Sequence, residues 1–235
     1  MSLTEHLLRP LLATSSARPL ITHYDEAAGS RVELSVATLA NWAAKTANWL
    51  VEEFDVEPGD AVSVNLPAHW QSAGVLLGAW WCGAHVVANP AEARVSFVAD
   101  AAEAAPTHPV ALVALDPLGR GLSAPPDKGA LDYLNEARLA GDEFAPLLPI
   151  PGETRALLGA TVDETLGSAQ ELARQHGISE GDRVLSTLAW DLPDGVLRGL
   201  LAPLSAGAHI VQVTGASDDR LAKHRDTERT TTELR

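Results

Sequence analysis

The fold of this chain is decided by two similar stretches of sequence, VEPGDAVSVNL at residues 56–66 and ISEGDRVLSTL at residues 178–188. Each contains a Gly-Asp pair followed by a short apolar run, which is typical of a turn that leads into a buried strand. The similarity returns further along, where GAHVV at residues 83–87 matches GAHIV at residues 207–211. The Gly-Asp pair precedes Gly-Ala-His by 24 residues in the first copy and by 26 in the second, so the chain contains an internal repeat.

Each copy of the repeat predicts the order helix, turn, strand, helix, strand. Apolar residues at helical spacing predict a helix over residues 38–54 before the first Gly-Asp pair and another over residues 162–176 before the second. Thr161 and Glu164 have the spacing of a capping box at the start of that second helix. A strand, a helix and a second strand form a βαβ unit with parallel strands. We therefore predict an α/β fold of two pseudo-symmetric βαβ halves, with mostly parallel sheets flanked by helices.

The chain between the copies predicts further elements. Residues 94–99 and 110–115 are candidate strands, separated by a short helix that Asp100 and Glu103 would cap. A loop rich in Gly and Pro follows, and residues 130–143 can form an amphipathic helix.

The last segment, residues 218–235, is strongly polar and is predicted to be a surface helix that frays. We divide the chain into a first αβ half over residues 1–115, a linker and insert over residues 116–160, and a second αβ half with a polar tail over residues 161–235. The three parts are expected to form one compact unit.

The composition is that of a globular protein and excludes several classes of function. Of 235 residues, 46% are hydrophobic and 20% are charged, so the chain can bury a large core. The formal net charge is -14 with no local basic patch, which argues against nucleic acid and anionic membranes as partners. No apolar run approaches the roughly 18 residues of a membrane helix, and no signal-peptide pattern opens the chain. We expect a cytoplasmic protein without a membrane partner.

The residue types that bind metals or react covalently predict no metal site. Cys82 is the one cysteine and lies in an apolar run, which is typical of a small buried hydrophobe. The eight histidines contain no His-x-x-x-His pair. His85 and His209 occupy equivalent positions of the repeat, so we predict a structural role for both. The tryptophans at helical spacing are predicted to pack in the core.

Five stretches follow one another in a fixed order: Glu33-Leu34-Ser35, GDAVSVNLP at 59–67, Asn89-Pro90, GDRVLSTL at 181–188 and LLAPLSAGA at 200–208. Their order and spacing resemble the N-terminal part of the AMP-forming adenylate synthetases, the superfamily of acyl-CoA synthetases, luciferases and adenylation domains. The resemblance spans residues 19–215 and is weakest over residues 95–160. In that superfamily, two such blocks form the pseudo-symmetric αβ halves of the large domain, so the resemblance implies the fold predicted above.

The sequence departs from this family where ATP binds. Family members hold the phosphates with a Ser/Thr/Gly-rich loop followed by Pro-Lys, because glycines let backbone N–H groups approach phosphate and lysine adds a positive charge. The corresponding stretch here, PIPGETRAL at residues 149–157, has one glycine, an acidic Glu153 and no lysine. The resemblance implies that Gly152, Thr154 and Arg155 stand at the positions of the phosphate loop, which is degenerate in this chain. Because Glu153 would repel a triphosphate, we expect neither ATP nor Mg²⁺ as a cofactor.

A second departure lies in the loop AWDLPDG at residues 189–195. Many acyl-CoA synthetases carry a His here beside the acyl pocket, and this chain has none. Trp190, Asp191 and Asp194 are candidate ligand-pocket residues, because parallel α/β folds bind ligands at the carboxyl edge of the sheet. The alternative is that Asp194 caps a helix from about residue 196 and that Trp190 packs in the core.

The chain also contains no counterpart of the family's adenine-binding Tyr-Gly-x-Thr-Glu segment, its ribose-binding Asp or its catalytic Lys. We therefore predict no catalytic residue and no adenylation by this chain alone. The resulting expectation is a truncated, catalytically degenerate domain that acts as a binding or regulatory module. It would associate with itself or with a protein partner at the face that truncation exposes, and it would take a small acyl or nucleotide ligand.

Two other interpretations stay open at this point. The first is a half-enzyme, or an acyl-, CoA- or nucleotide-binding member of the family, that needs a partner chain for ligase activity. The second is an unrelated doubly wound domain whose repeat imitates the family.

Overall fold

The computed structural model describes residues 1–100, 102, 108–126 and 129–235, and it has the predicted α/β class. In chain order the strands are β1 (Pro19–Asp25), β2 (Ser30–Ser35), β3 (Ala61–Asn65), β4 (His85–Val87), β5 (Ser96–Val98), β6 (Val110–Leu112), β7 (Leu131–Asp132), β8 (Arg155–Leu157), β9 (Ala160–Thr161), β10 (Arg183–Ser186), β11 (His209–Thr214) and β12 (Thr232–Leu234). The helices are α1 (Leu3–Ser15), α2 (Val36–Phe54), α3 (Trp70–Trp81), α4 (Tyr133–Ala137), α5 (Val162–Gln175), α6 (Asp194–Val196), α7 (Ala202–Ser205) and α8 (Asp218–Glu228).

The described strands form two mostly parallel sheets, as predicted. One sheet has the order β12-β10-β11-β1-β2, and its single antiparallel pair is β1 with β2. The other has the order β7-β6-β5-β3-β4-β8-β9, and its antiparallel pair is β8 with β9. One large apolar core connects helices α1, α2, α3 and α5 with both sheets.

The two copies of the repeat make the same turn. Gly59 and Gly181 have φ values of 93° and 86°, a region that favours glycine. The carboxylate of the next residue, Asp60 or Asp182, accepts a hydrogen bond of 3.0 or 2.7 Å from the backbone N–H three residues earlier. The backbone carbonyl of the same aspartate accepts a 2.8 Å hydrogen bond from the histidine of Gly-Ala-His. The repeat is therefore structural as well as sequential.

The two helices predicted before the Gly-Asp turns are confirmed. Helix α2 begins at Val36, two residues earlier than expected, because the Ser35 side chain accepts a hydrogen bond from the backbone N–H of Thr38. Helix α5 begins at Val162 behind the predicted capping box of Thr161 and Glu164.

Each sheet contains strands that lie outside its own copy of the repeat. Strands β1 and β2 precede the first copy of the repeat, yet they extend the sheet that contains β10 and β11 of the second copy. Strands β8 and β9 lie between the copies and extend the sheet of β3 and β4. The parts 1–115, 116–160 and 161–235 therefore do not each correspond to one sheet.

The segment between the copies is less helical than expected. The strands predicted over residues 94–99 and 110–115 are confirmed as β5 and β6, and the short helix predicted between them lies outside the described residues. The helix predicted over residues 130–143 is wrong except for the short α4. Leu131 pairs with β6 instead, and the Asp132 carboxylate caps the next turn through a 3.2 Å hydrogen bond from the Asn135 N–H.

The prediction of one surface helix over residues 218–235 is wrong beyond Glu228. Arg229 takes a left-handed conformation with φ of 51°, and strand β12 then pairs in parallel with β10. Three consecutive threonines at residues 230–232 favour strand over helix, and Leu234 becomes buried in the core.

Cys82 is buried, as predicted, and its burial raises the pKa of the thiol to about 12. Trp49, Trp70 and Trp80 are buried, and the Trp80 Nε1–H donates to the Ala156 carbonyl at 2.9 Å. These side chains pack the core.

Candidate functional site

The carboxyl ends of strands from both sheets meet at a cleft with two adjoining hollows of about 210 and 460 Å³. The smaller hollow lies at the ends of β3, β4 and β5, and the larger lies at the ends of β10 and β11. Ala88 lines the smaller hollow and Gln212 the larger, and both directly follow the repeated GAHVV or GAHIV segment. Each half of the repeat therefore contributes the strand ends of one hollow. The residues that line both are Asn65, Leu66, Trp190 and Asp191.

Trp190 both packs in the core and lines the cleft. Its side chain is buried against Gly199 in a π-helical turn, Leu197–Leu201, where a Cβ at Gly199 would lie 2.7 Å from the indole Nε1. Asp191 is exposed beside it, so the cleft has an acidic group at its mouth. Both residues lie at the carboxyl edge of the sheets, and their role as ligand-pocket residues stays a prediction.

Asp194 lies at the start of α6, is exposed and lines neither hollow. It is also not the helix cap that the alternative interpretation expected. The carbonyl of Asp191 accepts hydrogen bonds from the N–H groups of Gly195 and Val196, so helical turns begin earlier. Asp194 is thereby the first helical residue, and Pro193 precedes it without a side-chain cap.

The segment at residues 149–157, predicted to be a degenerate phosphate loop, is hydrogen-bonded within itself and to helix α5. The N–H of Thr154 donates to the Pro151 carbonyl at 3.2 Å, and the Gly152 carbonyl accepts from the Asp163 N–H at 3.1 Å. The Asp163 carboxylate stands where a Cβ of Gly152 would be, so a negative group fills the space in front of the one glycine. Arg155 is exposed at the amino end of β8, whereas the cleft lies at the carboxyl ends of the parallel strands. Gly152, Thr154 and Arg155 line neither hollow.

A buried polar row, which the sequence analysis missed, crosses the sheet next to the larger hollow. Ser186, Gln212 and His23 are register neighbours on β10, β11 and β1. All three are at most 2% exposed. The Gln212 Nε2–H donates to the Leu188 carbonyl at 3.1 Å, whereas Gln212 Oε1 has no partner in the described part of the chain. The one available signal was a glutamine inside an apolar strand, where the first copy has Ala88.

His23 of this row contacts a second buried histidine, His69, and burial favours the neutral form of both. The rings of His23 and His69 are 4.5 Å apart, edge to face, and His23 Nε2 is 3.3 Å from Thr214 Oγ1. Burial lowers the pKa of His23 to about 4. Burial and the neighbouring His23 lower the pKa of His69 to about 3. His69 Nδ1 accepts a 3.1 Å hydrogen bond from the Gln71 N–H and so caps helix α3.

His85 and His209 also have partners, as their predicted structural role requires. His85 Nε2 accepts from the Gly159 N–H at 2.9 Å. His209 Nε2 is 2.8 Å from Thr22 Oγ1, and its Nδ1 is 2.6 Å from an Arg183 nitrogen. Within the described ranges, no group of three or more His, Cys, Asp or Glu side chains could hold a metal ion.

The charges at the cleft are unfavourable for an anionic ligand. Of the described residues that line the two hollows, Asp191 carries a charge and none is Lys or Arg. A buried or partly buried phosphate or carboxylate needs a cation or several N–H donors.

Within residues 1–100, 102, 108–126 and 129–235, no helix has both the length and the apolar character needed to cross a bilayer.

The two mostly parallel sheets and their carboxyl-edge cleft have the fold of acyl-CoA synthetase N-domains, as superposition shows. An acyl-CoA synthetase from Brucella canis superposes with a TM-score of 0.79 at 16% identity, over 99% of this chain and 47% of that chain. The acetoacetyl-CoA synthetase from Streptomyces lividans superposes with a TM-score of 0.76 at 21% identity, over 97% of this chain and 41% of that chain. This chain thus spans less than half the length of those two proteins.

The particular family follows from sequence. A TIGR03089 family protein of Mycobacterium tuberculosis is 41% identical over 239 aligned positions, which cover 98% of this chain and 97% of that protein. The chain belongs to the TIGR03089 family. No family model matches the chain.

Proposed function

We propose that this chain is a binding or regulatory module that keeps the acyl-CoA synthetase fold and does not itself form adenylates. The closed segment at residues 149–157 is the observation that carries the proposal. Backbone N–H groups can hold phosphate only while they are free to point at it, and the Thr154 N–H is already bonded within the segment. The Asp163 carboxylate beside Gly152 adds repulsion where a triphosphate needs cations.

The cleft is the place where such a module would bind its ligand. Its larger hollow has the size of a small-molecule site, and the cleft lies where parallel α/β folds bind ligands. The small acyl or nucleotide ligand expected from the family stays a proposal, and the missing cations in the described lining favour an acyl group over a nucleotide.

Pyrophosphate exchange tests the proposal directly. The purified chain is incubated with ATP, Mg²⁺, labelled pyrophosphate and a panel of short, long and aromatic carboxylic acids, beside an active acyl-CoA synthetase as the positive control. We expect no acid-dependent exchange from this chain. Exchange above the acid-free background with any acid would overturn the proposal.

A thermal-shift titration with MgATP tests the phosphate segment separately. We expect no stabilisation of the wild type, of Arg155→Ala or of the exposed control Arg174→Ala. A ligand at 100 times its Kd stabilises a protein by about 2.7 kcal/mol, so retained binding would be visible. If MgATP stabilised the wild type and Arg174→Ala but not Arg155→Ala, Arg155 would replace the missing lysine and the proposal would fail.

Self-association or a protein partner also stays a proposal. Leu147 and Leu148, which are 99% and 75% exposed, supply apolar surface that a partner would cover. Light scattering across a concentration series measures the oligomeric state, with Leu147→Ser/Leu148→Ser as the comparison. A monomer at every concentration, with no protein retained in a pull-down, would count against a partner. Exchange activity that appears only with a second chain would instead favour the half-enzyme.

A further inference from the structure

The strongest unexplained feature is the amide of Gln212 beside the larger hollow. Gln212 is 1% exposed and lines the 460 Å³ hollow, yet its Oε1 has no hydrogen-bond partner among the described residues. A buried carbonyl oxygen without a donor is destabilising, and native proteins contain few. The corresponding residue of the first copy, Ala88, avoids this cost, so the repeat itself does not require a polar group here.

The orientation of this amide follows from its surroundings. The Leu188 carbonyl can only accept, and it lies 3.1 Å from Gln212 Nε2. A reversed amide would place two acceptor oxygens against each other and leave both unsatisfied. The group left over for a ligand is therefore the acceptor Oε1, which needs an N–H or O–H donor.

The rest of the hollow restricts the ligand further. Leu66, Leu188 and Trp190 supply apolar and aromatic surface, and the other polar side chains of the lining, Asn65, Thr187 and Thr214, are uncharged. Asp191 stands at the mouth as the one charged group of the described lining. A carboxylate or phosphate would meet an acceptor oxygen at Gln212 and a like charge at Asp191. An uncharged donor on an apolar body fits both groups.

We propose that the larger hollow binds a small, apolar molecule that carries an uncharged N–H or O–H donor, such as a primary amide or an alcohol, and that this donor bonds to Gln212 Oε1. The inference rests on the proposed function, since it names the ligand class of the same cleft. The inference goes beyond the proposed function because such a hollow would select against free carboxylic acids and nucleotides.

Hexanamide and hexanoate are the matched probes, because they share a chain length and differ in the donor and the charge. Saturation-transfer NMR titrations of the wild type at neutral pH measure both dissociation constants. We expect saturable binding of hexanamide and at least tenfold weaker binding of hexanoate. Equal or tighter binding of hexanoate, or no binding of hexanamide, would overturn the inference.

The variant Gln212→Ala, which introduces the residue of the first copy, assigns the contact. It should weaken hexanamide binding about tenfold, the effect of one lost hydrogen bond of roughly 1.4 kcal/mol. Gln175→Ala, on the exposed face of α5, should bind like the wild type. Unchanged affinity in Gln212→Ala would contradict the assignment. Should Gln212→Ala lose its folded circular dichroism spectrum, Gln212→Met removes the acceptor while keeping the length of the side chain.

The outcomes for the two proposals are separable. A chain that shows no pyrophosphate exchange and no preference for hexanamide would keep the proposed function and lose this inference. A chain that shows acid-dependent exchange would lose the proposed function, whatever hexanamide does.

Discussion

At the scale of single residues, the buried His23 and His69 are stable in the fold only while both are neutral. His69 Nδ1 accepts the Gln71 N–H, and a protonated imidazole has no lone pair left for that bond. The edge-to-face contact with His23 places a second imidazole within 4.5 Å, so two positive charges would repel in a buried site.

The pH dependence of stability follows from these lowered pKa values. An unfolded histidine binds a proton below about pH 6.5, whereas folded His69 and His23 resist protonation until about pH 3 and pH 4. The unfolded state therefore binds more protons between these limits, and stability falls as pH falls from 6.5. Each histidine should cost about 2 kcal/mol at pH 5 relative to pH 7.5.

Urea unfolding at pH 7.5, 6.5, 5.5 and 5.0 measures this slope. His69→Asn keeps a side-chain acceptor for the Gln71 N–H and cannot titrate, so its stability should depend less steeply on pH than that of the wild type. The exposed His176 serves as the control, and His176→Asn should retain the wild-type slope. Identical slopes in all three proteins would show that His69 is not responsible.

At the scale of elements, the close packing of α2 on α3 depends on a glycine. A Cβ at Gly78 would collide with the Thr46 side chain and approach the Ala43 carbonyl to 2.8 Å. Gly78 therefore allows the two helix backbones to approach, and the core between them has no room for a methyl group.

The variant Gly78→Ala should lose about 1 to 3 kcal/mol of unfolding free energy, because the added methyl must displace packed atoms. Gly167→Ala is the matched control on the exposed face of α5, where a Cβ meets nothing within 4 Å. It should gain about 0.5 to 1 kcal/mol, since alanine favours helix over glycine. Denaturant titrations of the two variants should thus move in opposite directions, and a neutral or stabilising Gly78→Ala would refute the packing argument.

At the scale of the whole molecule, an ion-pair network joins segments that are distant in sequence. The Glu228 side chain at the end of α8 is 5% exposed and accepts hydrogen bonds from Tyr24 on β1 and Arg31 on β2. It also pairs with Arg183 on β10. One carboxylate therefore ties the C-terminal helix to both the first strands and the second copy of the repeat.

Replacement of this carboxylate should be costly. Glu228→Ala leaves two arginines without their buried partner and should lower stability by about 3 kcal/mol or more. Glu171→Ala removes an exposed ion pair with Arg174 and should change stability by less than about 1 kcal/mol. Thermal unfolding measures the stability of both variants relative to the wild type. Similar small losses of stability in Glu228→Ala and Glu171→Ala would mean that the network contributes little.

The local sequence predicted the helices and turns of the repeat, but it did not predict strands β7 and β12, which follow the two copies. The helices α2 and α5 and the two Gly-Asp turns were predictable because helical periodicity, a capping box and glycine in a left-handed conformation act within a few residues. The segments 130–143 and 218–235 were predicted as helices, although the threonines at residues 230–232 favour a strand. Leu131 and Leu234 enter sheets by pairing with β6 and β10, and a local pattern does not contain these partner strands.

The candidate site shows the same difference between what local sequence predicts and what depends on tertiary structure. By itself the sequence determined an α/β fold with two equivalent halves. It also predicted that the segment at residues 149–157 is poorly equipped for phosphate and that Trp190 and Asp191 lie at the carboxyl edge. Only the tertiary structure decided that Gln212 lies beside a hollow with its Oε1 unpartnered, that His23 meets His69, and that β1 and β2 join the sheet of the second copy. The physical reason is distance along the chain: the contact of His23 with Thr214 spans 191 residues, and no local pattern encodes a pairing that exists only once both sheets have formed.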